Sequence, residues 1–141
     1  MYLKQVWIEG YKNFRSPFSI TFSNALNVIV GENSSGKSAI IDALRLLLLE
    51  DEFGRSTVQD TDFNRPFDKP KEQTKSFRIH GIFDGMSQEQ QVAFLPWTDL
   101  NGHASLTLLV DNKQNRYGKY KRVLWGVLHG QACLSVSYLK L

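Results

Sequence analysis

An α/β fold is predicted by three features of this chain. They are the glycine-bounded segment Gly31-Glu32-Asn33-Ser34-Ser35-Gly36-Lys37-Ser38, the short apolar run rich in β-branched residues before it, and the helix-periodic run after it. Strand, glycine loop and helix in that order form the unit from which phosphate-binding loops are made.

From the N-terminus, Leu3, Val6, Ile8 and Tyr11 form a strand-like apolar opening, and Ser19-Ile20-Thr21-Phe22 is a short alternating piece. Leu26-Asn27-Val28-Ile29-Val30 reads as a buried strand leading into the loop. Between Lys37 and Leu49 the residues Ile40, Ile41, Ala43, Leu44, Leu47 and Leu48 recur at helical spacing, so a helix is predicted there with those residues on its buried face. From Asp51 to Thr74 the composition turns polar, with Gly54, Pro66 and Pro70 as breakers, which predicts a long surface loop or irregular excursion. Phe77, Ile79, Gly81 and Phe83 then alternate with Arg78, His80 and Ile82 as a strand should. Ser87 and Gln90 have capping-box spacing for a short helix ending near Pro96. Ala104 to Asn112 and Lys119 to Trp125 are two further strands, joined by a turn from Lys113 to Gly118. The expected architecture is a mixed sheet, made from the opening segment, the Val28 run and the later hairpin, packed on the Lys37 helix.

The loop carries the chemistry. A polyphosphate needs donors that do not have to reorganise, and a helix start offers unpaired backbone N–H groups and the positive end of the helix dipole. Gly31 and Gly36 permit backbone conformations or a close phosphate approach that a side chain would hinder. Lys37 should reach the β- and γ-phosphates, and the Ser38 hydroxyl should ligate Mg²⁺. Glu32, Asn33, Ser34 and Ser35 line the nest between the glycines, and Ala39 closes it in the first helical turn. ATP with Mg²⁺ is the expected ligand.

Composition bounds the rest. The 141 residues, 42% of them apolar, suffice for one domain with a real core. The ATP-binding lobe is expected over residues 1–125 and an atypical tail over 126–141. No apolar stretch approaches the roughly 20 residues that span a bilayer, and Cys133 is the only cysteine, so a protein of the reducing cytoplasm is expected. His80, His103 and His129 have no zinc-ligand spacing; the first two read as structural. After Asp111 no acidic residue occurs, while Lys113, Arg116, Lys119, Lys121, Arg122 and Lys140 supply six positive charges. That run is either a solvated hairpin and tail or a phosphate-contacting surface.

The first 49 residues, through Gly10-Tyr11-Lys12-Asn13-Phe14-Arg15-Ser16 and then Leu26 to Leu44, resemble the N-terminus of ABC-type ATPases of the RecF and SMC class, and most closely that of OLD-type (overcoming lysogenization defect) ATP-dependent endonucleases. Thr61-Asp62-Phe63-Asn64, Ser76 to Phe83 and Val123 to Gly126 are weaker echoes. The resemblance implies a two-lobed ATPase head, followed in the OLD group by a Toprim nuclease domain, with DNA as substrate. It places Asn13, Phe14 and Arg15 close to the nucleotide, Arg15 as the side chain able to meet adenine or phosphate. Asp42, four residues after Ser38, stands where a water-mediated magnesium contact or a plain helix-surface role would put it. Leu106 to Asp111 has the apolar-run-then-Asp form of a Walker B strand, which makes Asp111 a second candidate magnesium ligand, but Asn112 stands where the family carries Glu.

No signature motif or later Asp-Glu strand follows. The expectation is therefore an ATP-binding N-terminal fragment that relies on a missing C-terminal lobe or a homo-oligomer for hydrolysis, its tail arising by truncation or frameshift. A self-sufficient small P-loop kinase or NTPase using Asp111, and a nucleic-acid-binding regulatory module, are the alternatives.

Overall fold

A computed structural model describes residues 1–48, 58–128 and 131–132. Five strands form one sheet in the order β2-β1-β3-β4-β5: β1 Tyr2–Glu9, β2 Phe18–Thr21, β3 Ser76–Asp84, β4 Ala104–Gln114 and β5 Tyr120–Trp125. Each of its four pairings is antiparallel. Helix α1, Lys37–Leu48, packs on β3 and β4, giving the expected α/β arrangement. Helix α2, Gln88–Ala93, starts at the expected capping box: the Ser87 hydroxyl accepts from the Gln90 N–H, and the Gln90 side chain accepts from the Ser87 N–H. Two-residue strands β6, Val127–Leu128, and β7, Gln131–Ala132, pair with each other. The remainder of the expected 126–141 tail, with His129 and Cys133, lies outside the described residues, as do residues 49–57 of the polar stretch. No helix among the described residues is long and apolar enough to cross a membrane.

The core lies between the sheet and α1. Alternation puts Val6 and Ile8 of β1, Phe77 and Ile79 of β3, and Leu108 and Val110 of β4 on the helix side, where they meet Ala39, Ile40, Ala43, Leu46 and Leu47. The buried stripe of α1 thus differs from the expected one. Ile41 and Leu48 are about half exposed, because α1 has a sheet on one side only.

Two expectations are corrected. The run Leu26 to Val30, expected as a buried strand, enters no ladder, and Leu26, Val28 and Val30 are 87%, 71% and 83% exposed. A β-branched run becomes a strand only where another strand accepts its hydrogen bonds, and no described strand lies beside it. The described part of the polar stretch, 58–74, is irregular, as its breakers suggested, yet it is not merely surface. Val58, Asp62, Phe63 and Asn64 are buried, and the Phe63 ring sits 5.1 Å from both Phe77 and Tyr120. Phe63 closes the core at the end of the sheet nearest the post-β1 turn. Phe63→Ala should therefore cost about 3–5 kcal/mol in a chemical-denaturation measurement, an effect no surface loop residue would give.

Candidate functional site

The site forms where two backbone turns meet. The first follows β1. Gly10 and Lys12 both have positive φ, 74° and 43°, so the chain reverses sharply and Tyr11 bridges to Phe14 and Phe63. This turn is clipped from behind by the irregular segment: Asn64 N–H donates to the Gly10 carbonyl at 2.9 Å, the Asn64 side-chain amide donates to the Lys12 carbonyl, and Lys12 N–H donates to the Asp62 carbonyl at 2.8 Å. The Thr74 hydroxyl adds a bond to the Gly10 carbonyl at 2.9 Å.

The second turn is the glycine loop. Ser34 and Gly36 adopt positive φ, 72° and 94°, and Ser35 N–H closes a turn onto the Glu32 carbonyl at 3.2 Å. Ile40 N–H bonds the Gly36 carbonyl at 3.1 Å, which makes Gly36 the last residue before the helix. The N–H groups at the start of such a helix have no carbonyl one turn back to bind. Phe14, stacked on Phe18 at 4.6 Å, lies so close to Gly36 that a β-carbon there would stand 3.0 Å from its ring. Asn13 donates its amide to the Ser34 carbonyl at 3.2 Å. Asn13 and Phe14 therefore brace the loop.

Between the two turns is a cavity of about 260 Å³ lined by Lys12, Asn13, Asn33, Ser34, Gly36, Lys37, Ser38, Ala39 and Asp42. The Lys37 ammonium folds back to donate to the Gly31 and Glu32 carbonyls, both at 2.5 Å. It is thereby held over the nest, and among the described residues no carboxylate pairs with it. Lys12 reaches Asp42 at 2.6 Å and Asp62 at 3.7 Å and lies over the Tyr11 ring. Burial, reinforced by the Asp62 and Asp42 carboxylates, pushes the Tyr11 hydroxyl far above its ordinary range, so that phenol stays neutral beside the site.

The residues present fit a magnesium polyphosphate. The nest is open at Gly36, a cation stands over it, and the Ser38 hydroxyl and Asp42 carboxylate, one helical turn apart, supply the hard oxygen donors that Mg²⁺ prefers. The other expected positions lie elsewhere. Arg15 turns to Glu72, donating to its carbonyl at 3.2 Å and pairing with its carboxylate at 3.9 Å. Asp111 sits within β4, opposite Ser76 on β3 and Lys121 on β5. Neither lines the cavity. Lys12 is the residue that sequence reasoning passed over. The available signal was a lysine in the post-strand turn with Asp42 on the loop's helix to receive it. His103, which reads as structural from the sequence, stands 3.3 Å from Asp84 and 3.6 Å from Asp99. Among the described residues no group of three or more His, Cys, Asp or Glu could hold a metal.

Comparison with known proteins identifies the family. The family model described as "AAA ATPase domain" matches residues 1–124. The chromosome partition protein Smc of Coxiella burnetii is 31% identical over 124 residues, covering 84% of this chain and 8% of that protein. Its counterpart in Mycobacterium leprae is 29% identical over 115 residues, 82% of this chain and 7% of that protein. The SMC head domain from Thermotoga maritima superposes with a TM-score of 0.53 at 25% identity, over 90% of this chain and 38% of that one. A second solved chain, from work on ATP-driven dimerization and DNA-stimulated activation of SMC ATPases, has a TM-score of 0.61 at 22% identity, over 89% of this chain and 70% of that one. The chain spans under a tenth of these curated relatives.

Replacing Gly36 by Ala should weaken ATP binding by tenfold or more in a calorimetric titration, because the added carbon meets both a positive φ and the Phe14 ring. Gly31→Ala should be milder, since there the nearest atom is the Ser35 hydroxyl oxygen, which can rotate away.

Proposed function

We propose, from the premise that the chain belongs to the AAA ATPase domain family, that it is the ATP-binding lobe of an ABC-type ATPase of the SMC class, holding ATP with Mg²⁺ in the cavity between the glycine loop and the post-β1 turn. The observation that carries this is the Lys37 ammonium poised over the Gly31–Ser38 nest beside Ser38 and Asp42.

In this reading the backbone N–H groups from Gly36 to Ala39 cradle the phosphates, and Lys37 exchanges its two carbonyl partners for phosphate oxygens. Ser38 would hold magnesium directly and Asp42 through water, and the metal would supply neutralisation of the phosphate charge. Lys12, already at the rim, adds a second cation next to the phosphates once Asp42 turns toward the metal. Asn13 and Phe14 hold the loop's shape. Arg15 becomes a nucleotide contact only by leaving Glu72.

Binding and turnover separate here. Among the described residues Asp42 is the single carboxylate lining the cavity, and Lys12 already holds it. Without a second carboxylate to orient the attacking water, most of the positional and electrostatic catalysis is lacking. We infer that hydrolysis requires groups brought to the nucleotide from another lobe or a second copy. The exposed Leu26, Val28, Val30, Ile41 and Leu48 supply apolar surface that such a partner would cover. An OLD-like coupling to a DNA nuclease is the finer reading. What supports it is the sequence from Gly10 to Ser16 and from Leu26 to Leu44, and its nuclease chemistry would have to come from outside the described residues.

Lys37→Ala should abolish ATP binding, by about a hundredfold or more, with circular dichroism unchanged. ATP binding by the variant at wild-type strength would contradict the proposal. Phosphate release by the wild-type chain alone should be near background, and Asp111→Ala should not alter it. Turnover that depended on Asp111 would favour a self-sufficient NTPase instead.

A further inference from the structure

The face of the sheet turned away from α1 carries a second cavity. One cross-strand row on that face runs Trp7, His80, Thr107, Trp125 across β1, β3, β4 and β5, each residue opposite the next in register. Thr107 is the small member of the row, and with Trp7, His80 and Trp125 around it and Glu9, Pro17 and Arg78 at the rim it encloses a cavity of about 390 Å³.

The dimensions and chemistry of this slot select its ligand. Adjacent strands are about 4.8 Å apart, so the backbones carrying His80 and Trp125 stand about 10 Å apart with Thr107 between them. A planar ring sandwiched between two others needs about 7 Å, two van der Waals contacts. The floor is polar: His80 Nδ1 and Thr107 Oγ1 are 2.7 Å apart, and burial, with Arg78 nearby, lowers the His80 pKa, which favours a neutral imidazole with one donor and one acceptor nitrogen. Trp7 supports His80 from the far side, ring centroids 5.2 Å apart. Arg78 lies on the same face two residues before His80, about 7 Å along the strand, which is the reach from a base to its backbone phosphate. Its pairing with Glu9 is long, 3.7 Å, and both side chains are substantially exposed, so the guanidinium is available to a better acceptor. Along β5, alternation carries the same face from Trp125 through Val123 to Lys121. The hairpin beyond holds Lys119, Arg116 and Lys113, with no acidic residue after Asp111.

We propose that this slot takes an unstacked base of a single-stranded nucleic acid, stacked between His80 and Trp125 over Thr107, with its phosphate on Arg78 and the strand running along β5 toward the basic hairpin. Aromatic platforms flanked by cations on an antiparallel sheet bind single strands by this chemistry. The site is on the opposite side of the sheet from the glycine loop, so it stands whether or not that loop binds ATP.

The test is fluorescence anisotropy of a fluorescein-labelled oligothymidylate with the full chain at low salt, without nucleotide or magnesium. The wild type should bind. Trp125→Ala should weaken binding about tenfold, and Arg78→Ala severalfold with a shallower salt dependence. Arg78 is exposed, so its variant remains informative if the tryptophan variant fails to fold. Excess ATP with magnesium should leave the oligonucleotide bound, and both thymidine monophosphate and a mixed-sequence duplex should bind more weakly than the oligothymidylate. Four results would each overturn the proposal: no binding at low salt, undiminished binding by Arg78→Ala, displacement by ATP, or equal affinity for the monophosphate or the duplex.

Discussion

The clip between the Thr61–Asn64 segment and the turn after β1 is the constraint on which the rest of the site depends. Gly10 can make that turn because it tolerates a φ of 74° and because a side chain there would stand 2.6 Å from the Ser76 carbonyl. Lys12 has no such freedom, and a non-glycine residue at positive φ is held there by its surroundings. The bonds from Asn64 and to Asp62 supply that hold, and Phe63 anchors the segment in the core between Phe77 and Tyr120. Asn13 and Phe14 then reach the glycine loop from a fixed base. The loop itself is set in front of α1, whose apolar side is fastened to the sheet.

Charge at the site is arranged for exchange. Lys37 rests on two carbonyls and Lys12 on Asp42 with Asp62 behind it. Phosphate oxygens are stronger acceptors for an ammonium than peptide carbonyls, so in the proposed function a polyphosphate would draw Lys37 from two carbonyls and not from an ion pair. Lys12 differs, because its release is tied to where Asp42 goes. In the proposed function the two cations would answer to different components of the ligand, Lys37 to phosphate and Lys12, through Asp42, to the metal.

What the sequence revealed follows from how local each feature is. The glycine loop's turn into α1 was legible because it is made by consecutive residues, and the Ser87 capping box because it spans four positions. β1, β3, β4 and β5 were likewise legible as strands, β3 by the alternation of Phe77, Ile79, Gly81 and Phe83 with Arg78, His80 and Ile82. Asp62, Phe63 and Asn64 were not, because their burial comes from contacts with Gly10, Lys12, Phe77 and Tyr120, far away in the chain. The Leu26–Val30 run was misplaced for the opposite reason: its composition suits a strand, but strand formation requires a neighbour, and the described residues offer none. Ile41 and Leu48 read as core for the same reason, their helix being packed on one side only. Arg15 had the right charge in the right neighbourhood, yet Glu72, which no local pattern ties to it, holds it.

Amide hydrogen exchange with and without ATP and magnesium tests the central account most directly, because it reports on both turns at once. Ligand should slow exchange in residues 31–40 and in residues 11–15 together, since Asn13 and Phe14 transmit the loop's order to the turn they come from. Protection of the loop without the turn, or ligand protection that falls elsewhere in the sheet, would contradict a site built from both.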